Sequence, residues 1–203
     1  MSLLDPIKFY YEEKLARHGT SARGVDWNGE DSQRMRFQSL CQVIDRELGE
    51  TFTIDDYGCG YGACLGYIKE RGWKPDYLGL DVSDKMVVAG KEQYPEGNFI
   101  VAHTSPRVAD FAVASGIFNV VLDTNRMDWL GYILETLDSM HAATTYGFSF
   151  NCLTSYSDEL LMRPHLYYGD PCFFFDHCKR RYSKNISLLH DYGLYEFTII
   201  VRK

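Results

Sequence analysis

Apolar residues in this chain follow two alternating rhythms. From Thr51 onward, short β-branched and aromatic runs recur: "TFTIDDY", "YLGLD", "NFIVA", "ADFAVAS" and "YGFSFNCL". Such runs predict strands. Between them, helical spacing predicts helices over "ACLGYIKERG", over "SDKMVVAGKEQY" with Ser83 as N-cap, and from Asn125 to His141, with Trp129, Ile133, Leu134 and Leu137 on one side. Two helices come earlier: residues 5–20, capped by Asp5 and opened by Pro6, and about Ser32 to Leu48, ended by Gly49. At the far end "NISLLHDY" and "LYEFTIIVRK" are separated by about one residue, Gly193, and must pair as an antiparallel hairpin.

Strand and helix alternating from Thr51 to Leu153 argue for an α/β fold with helices on both faces of the sheet. The expectation is a doubly wound, Rossmann-like, mostly parallel sheet of seven strands ending in the antiparallel hairpin. Residues 1–50 are expected to form a helical segment covering the cleft. Residues 51–203 form the main domain, with a substrate-side insertion at about 154–184.

The first strand runs into "DDYGCGYGA", where Gly58, Gly60 and Gly62 alternate behind two carboxylates. In a doubly wound sheet this turn lies at the carboxyl edge, where ligands bind. Glycine lets a ligand approach the backbone, and the following helix offers free N–H groups. "GCGYGA" also satisfies the dinucleotide pattern, with Asp81 placed to hold a ribose. A dinucleotide-dependent oxidoreductase is therefore one candidate. Asp56 argues the other way, for a carboxylate facing a diphosphate at ~4 Å, in an effective dielectric of about 20, costs on the order of 4 kcal/mol. The same group would attract an ammonium and a sulfonium.

In these residues the chain resembles the class I S-adenosylmethionine-dependent methyltransferases, including their small bacterial members. "DYGCGYG" matches the family's D-x-G-x-G-x-G loop, "YLGLDVSDKMV" matches its second motif, and the final hairpin is similar to its reversed last strand. The resemblance implies S-adenosylmethionine as cofactor. Asp56, with Gly58, Cys59, Gly60 and Gly62, would take the methionine end, and Asp81 both ribose hydroxyls. Val82 and Met86 would flank the adenine, His103 or Thr104 would meet its polar edge, and Ser115 and Gly116 would lie beneath the sulfonium. Tyr57 and Tyr61 depart from the family's usual smaller residues.

The loop after the fourth strand reads "SGIFN", without the Asn/Asp-Pro-Pro-aromatic motif of enzymes that methylate exocyclic amines of bases or glutamine. With a net charge of −7 and a pI of about 5.3, this disfavours nucleic acid and anionic membranes and leaves a small, neutral or cationic molecule as acceptor. Acceptor contacts are expected from Trp27, Arg163 and Tyr167, and His165 is the candidate general base. His190, inside a strand, reads as a core histidine. Six cysteines without a CxxC pair suggest reduced thiols and a cytoplasmic location. Cys172 and Cys178 match no zinc spacing, and no metal is expected. A methyltransferase-like module that binds the cofactor without turnover is the second candidate.

Overall fold

The computed structural model describes residues 3–44 and 51–203. Seven strands form one sheet: β1 (Thr53–Tyr57), β2 (Asp76–Asp81), β3 (Asn98–Val101), β4 (Ala109–Ala114), β5 (Thr144–Leu153), β6 (Asn185–Leu189) and β7 (Glu196–Arg202). Their spatial order is β3-β2-β1-β4-β5-β7-β6. All neighbours are parallel except β5–β7 and β7–β6. The chain winds outward from β1 through β2 to β3, then returns to β4 on the other side of β1. That reversal is a topological switch point, and it opens a crevice at the carboxyl ends of β1 and β4.

Among the described residues six α-helices flank the sheet: α1 (Asp5–His18), α2 (Glu30–Leu40), α3 (Ala63–Glu70), α4 (Asp84–Gln93), α5 (Arg126–Ala142) and α6 (Pro171–Arg181). Strand alternation sorts the core into two layers. Tyr57, Ala112, Ala114 and Phe150 pack with Trp129 and Ile133 of α5 and Phe174 of α6. On the other face Ile54, Phe111, Val113 and Ile200 pack with Phe37 of α2, Leu65 of α3 and Val87 of α4. Complete burial of one such side chain stabilises by roughly 1.5–3 kcal/mol.

The start of α1 differs from expectation. Leu4 takes the N-cap position and Asp5 is the first helical residue, with Pro6 in the first turn. Ser83 and Asn125 do cap α4 and α5, accepting from the Met86 and Met127 N–H groups. The second helix stops at Leu40 and passes into a 3₁₀ turn, Cys41–Val43. The predicted stop at Gly49 lies outside the described residues. The final hairpin has a wider loop than Gly193 alone, because β6 ends at Leu189 and β7 starts at Glu196. His190 is thereby exposed in the loop rather than buried in a strand.

Candidate active site

Two connected hollows occupy the switch point. The larger, with a cavity volume of about 90 Å³, lies between the carboxyl edge of the sheet and α1, and is lined by Gly58, Gly60, Asp81, Val82, Met86, His103, Ser115 and Gly116. The smaller, about 30 Å³, lies under the glycine loop, with Asp56, Cys59, Gln33 and Tyr61 in its wall. Val25, Trp27, Gly58, Gly60 and Ser115 border both.

The glycine loop is held by β2. Gly58 and Cys59 N–H both donate to the Leu80 carbonyl, at 2.7 and 3.0 Å. Gly60 N–H donates to Asp81 Oδ2 at 2.9 Å, and Ser83 N–H to Asp81 Oδ1 at 2.8 Å. Gly60 sits at φ 54°, in the left-handed region, where a Cβ would come 3.1 Å from Val25 Cγ1. The backbone can therefore line the cleft only because it is bare. Gly62 plays a different part. It borders neither hollow, and a Cβ there would strike the Phe99 ring at 2.8 Å, so its lack of a side chain serves packing.

Asp81 keeps one lone pair on each oxygen after these two bonds. Burial raises its pKa to about 6, against the stabilising N–H groups of Ser83, Gly60 and Val82. Asp56 corrects the sequence picture more sharply. It is not a rim group but is 1% exposed, with Oδ2 accepting from Tyr77 OH at 2.7 Å. Alternation along β1 turns it to the α3 side of the sheet, away from Asp55, which pairs with Arg107 at 2.8 Å. Burial first, then the neighbouring carboxylates of Asp81 and Asp55, push its pKa to about 7, opposed by the Tyr77 bond. It is thus not a fixed negative charge at neutral pH. The repulsion computed for a surface carboxylate does not apply to it.

Helix α1 roofs the larger hollow with Leu4, Ile7, Lys8 and Tyr11. Charged contacts fasten it to the start of α4. Ser83 Oγ donates to Glu12 at 3.0 Å, Lys85 meets Glu12 at 2.9 Å, and Lys8 meets Asp84 at 2.6 Å. Asp26, just after the 3₁₀ turn Ala22–Val25, takes the Tyr10 hydroxyl and the Lys14 ammonium. This brings Val25 and Trp27 against the glycine loop.

Behind Trp27 lies a buried polar network. The Arg36 guanidinium stacks on the Trp27 ring at 3.8 Å and donates to both oxygens of Glu196, at 2.7–3.0 Å. Asn151 Nδ2 donates to the same carboxylate at 2.7 Å, and its Oδ1 accepts from Gly116 N–H at 2.7 Å. The loop after β4 is thus tied through β5 to β7 and α2.

Of the sequence candidates, Trp27, Asp56, Gly58, Cys59, Gly60, Asp81, Val82, Met86, His103, Ser115 and Gly116 meet at these hollows. Thr104 is exposed and borders neither. His165 lies outside both, and its backbone carbonyl accepts from Val121 and Leu122 N–H at 3.0 Å. Arg163 is exposed in the same loop. Tyr167 is buried in the core and donates its backbone N–H to the Asn119 carbonyl. Sequence reasoning missed Tyr11, Gln33, Tyr132 and Thr136, which lie on helices. No motif marks them, because only tertiary docking brings those helices to the cleft. Among the described residues, no cluster of three His, Cys, Asp or Glu could hold a metal. No described helix is long and apolar enough to cross a membrane.

No protein-family profile matches the chain. A protein from Mycobacterium tuberculosis (strain ATCC 25618 / H37Rv), named as a candidate methyltransferase, is 57% identical over 157 residues, covering 76% of this chain and 95% of its own. Solved structures share the fold at low identity. Magnesium protoporphyrin IX methyltransferase from Synechocystis PCC 6803, with bound S-adenosylmethionine, superposes with a TM-score of 0.65 at 10% identity, covering 99% of this chain and 98% of that one. DhpI in complex with S-adenosylhomocysteine gives 0.65 at 13% identity, covering 98% and 95%.

Proposed function

Because this chain belongs to the class I S-adenosylmethionine-dependent methyltransferases, we propose that it methylates a small molecule by in-line displacement, with the cofactor spanning the two hollows. The adenosine would lie in the larger one, its ribose on Asp81 and its adenine between Val82 and Met86, beside His103. The methionine end would enter the smaller, toward Asp56 and Gln33. One observation supports this above others: Gly58 and Gly60 after β1, Asp81 at the end of β2, Met86 on α4, and Ser115 and Gly116 after β4 border a single cleft.

The cofactor supplies an activated methyl on a sulfonium. What these residues contribute is placement. The bare Gly60 backbone admits a ligand to contact distance, and the Asp81 oxygens retain acceptor capacity for a diol. Orientation of this kind accounts for roughly 7–11 kcal/mol of a bimolecular barrier. The N-terminal segment from Leu4 to Trp27 would act as the cover of the cleft and residues 51–203 as the transferase domain, in keeping with the roofing position of α1.

Calorimetric titration with S-adenosylmethionine and S-adenosylhomocysteine tests the cofactor site. Both should bind, and Asp81→Ala should weaken binding roughly 10–100-fold through lost hydrogen bonds to a charged group. Transfer of a labelled methyl to the low-mass fraction of a cell extract, and not to its protein or nucleic acid, tests the acceptor class. Protection by NAD without binding of S-adenosylhomocysteine would overturn the proposal.

A further inference from the structure

A methyl acceptor needs a free electron pair, and one that carries a proton at neutral pH needs a base beside it. On the methyltransferase reading, the methyl lies by Ser115 and Gly116, just past the end of β4. Each titratable group bordering the larger hollow can be set against that point. His103 follows β3, three strands from β4 in the order β3-β2-β1-β4. Neighbouring strands lie about 4.8 Å apart, which separates the two strand ends by roughly 14 Å, whereas a base acts across about 3 Å or one water. Asp81 ends β2, two strands away, and its oxygens already accept from Gly60 and Ser83 N–H. Lys8 is paired with Asp84 at 2.6 Å and with Glu12 at 3.7 Å, contacts that hold its proton in place. Asp56 opens on the other hollow, beneath the glycine loop.

Three phenols remain: Tyr57 at the end of β1, Tyr132 on α5 and Tyr11 on the roof helix α1. Burial raises the pKa of all three, that of Tyr132 to about 12, and Asp26 raises that of Tyr11 further. Each keeps its proton at neutral pH and can donate it to a hydrogen bond. Ser115 Oγ is buried at the hollow without a hydrogen-bond partner. The Tyr11 hydroxyl makes no hydrogen bond among the described residues, and its ring meets Tyr10 edge-on at 5.3 Å. Leu4, Ile7, Trp27 and Ile117 make much of the remaining wall apolar. Hydroxyls with protons to give, and no group placed to take one, match an acceptor atom that arrives already anionic.

We propose that the acceptor atom is a carboxylate oxygen, that this chain forms methyl esters, and that the Ser115 and Tyr11 hydroxyls donate to the carboxylate. One oxygen attacks the methyl carbon and the S–CH3 bond breaks. Its electron pair stays on sulfur, leaving a neutral ester and a neutral thioether, and no proton moves. An apolar wall favours this loss of two charges over transfer to a neutral amine, which would leave a cation in the cleft. The net charge of −7 does not decide against an anion here. Exposed charges are screened beyond about 8 Å at physiological salt, and burial keeps Asp56 partly protonated near pH 7. The inference rests on the methyltransferase reading for the position of the methyl.

The test incubates the full chain with methyl-labelled S-adenosylmethionine and the low-mass fraction of a cell extract, then treats the labelled product with alkali. A methyl ester releases its label as volatile methanol, whereas ethers and N-methyl or C-methyl products keep theirs, so most of the transferred label should become volatile. Treating the extract beforehand with a carbodiimide and methylamine, which turns carboxylates into amides, should remove the acceptor. Acetic anhydride, which blocks amines, should leave it. Tyr11→Phe should slow transfer about tenfold, the worth of one hydrogen bond to a charged group. Its affinity for S-adenosylhomocysteine should stay within about twofold of the parent's. Between about pH 7.5 and 9 the rate should vary alike in both proteins, because the phenol takes no proton. Alkali-stable label, an acceptor that survives the carbodiimide, unslowed transfer in Tyr11→Phe, or a pH dependence lost in that variant would overturn the inference and leave the methyltransferase reading standing. Binding of S-adenosylmethionine with no label reaching any low-mass compound would overturn both.

Discussion

Asp56 shows how far a single residue can be read from sequence. Its position in the motif was legible, but its environment was not. Strand alternation turns it inward, onto Tyr77, a contact between neighbouring strands that no spacing rule announces. The consequence is a carboxyl with a pKa near 7 in place of its usual acidic value. The sign for stability follows from linkage. Between about pH 4 and 7 the folded state binds a proton that the unfolded chain has released, so the stability contributed by this group is full below its unfolded pKa and is lost as pH rises through 7. Asp56→Asn keeps an oxygen for the Tyr77 hydroxyl and removes the ionisation. It should stabilise the ligand-free protein at pH 8 by on the order of 2 kcal/mol in urea unfolding. Cofactor binding should move the other way. A cationic ammonium favours ionised Asp56, so affinity for S-adenosylmethionine should fall as pH drops from 8 to 6, and this dependence should vanish in Asp56→Asn, as read by calorimetry at both pH values.

Elements whose apolar rhythm is local, such as α4, α5 and β4, were predicted within a few residues of where they lie. Contacts between distant elements were not. The pairing of Arg36 on α2 with Glu196 on β7 spans 160 positions, and both side chains are almost fully buried. In the sequence each is an ordinary charged residue among many. Removing one partner strands the other, so Arg36→Met should destabilise the protein by about 3–5 kcal/mol. The double replacement Arg36→Met with Glu196→Met should recover much of that loss, since an apolar pair avoids the desolvation of both charges. Thermal and urea denaturation of the three variants measure it. The same pair supports the loop after β4 through Asn151 and Gly116, so a loss of activity exceeding the loss of folded protein would mark its positioning role.

At the scale of the whole molecule, topology was the most legible layer. Alternating strands and helices, then two strands with no helix between them, argue for a mostly parallel sheet ending in an antiparallel hairpin, and the observed seven-stranded sheet agrees. The sequence also located the glycine loop and Asp81, because both belong to one strand–turn–helix unit and its neighbour. The roof of the cleft was less legible. A cover was expected from residues 1–50, but neither its docking nor its contacts could be read, since α1 carries little amphipathic pattern and is anchored instead by the ion pairs Lys8–Asp84 and Lys85–Glu12 to α4. That clasp bears on traffic through the site. With Glu12 on Ser83 and Lys8 on Asp84, a nucleoside bound beneath α1 as proposed would leave only when the helix lifts. Amide hydrogen–deuterium exchange should therefore slow markedly across Ile7–Leu15 once S-adenosylhomocysteine is bound, stay unchanged in the centre of β5, and quicken in the ligand-free Glu12→Ala protein. Departure of spent product, more than the methyl shift itself, would then set the pace of the catalytic cycle.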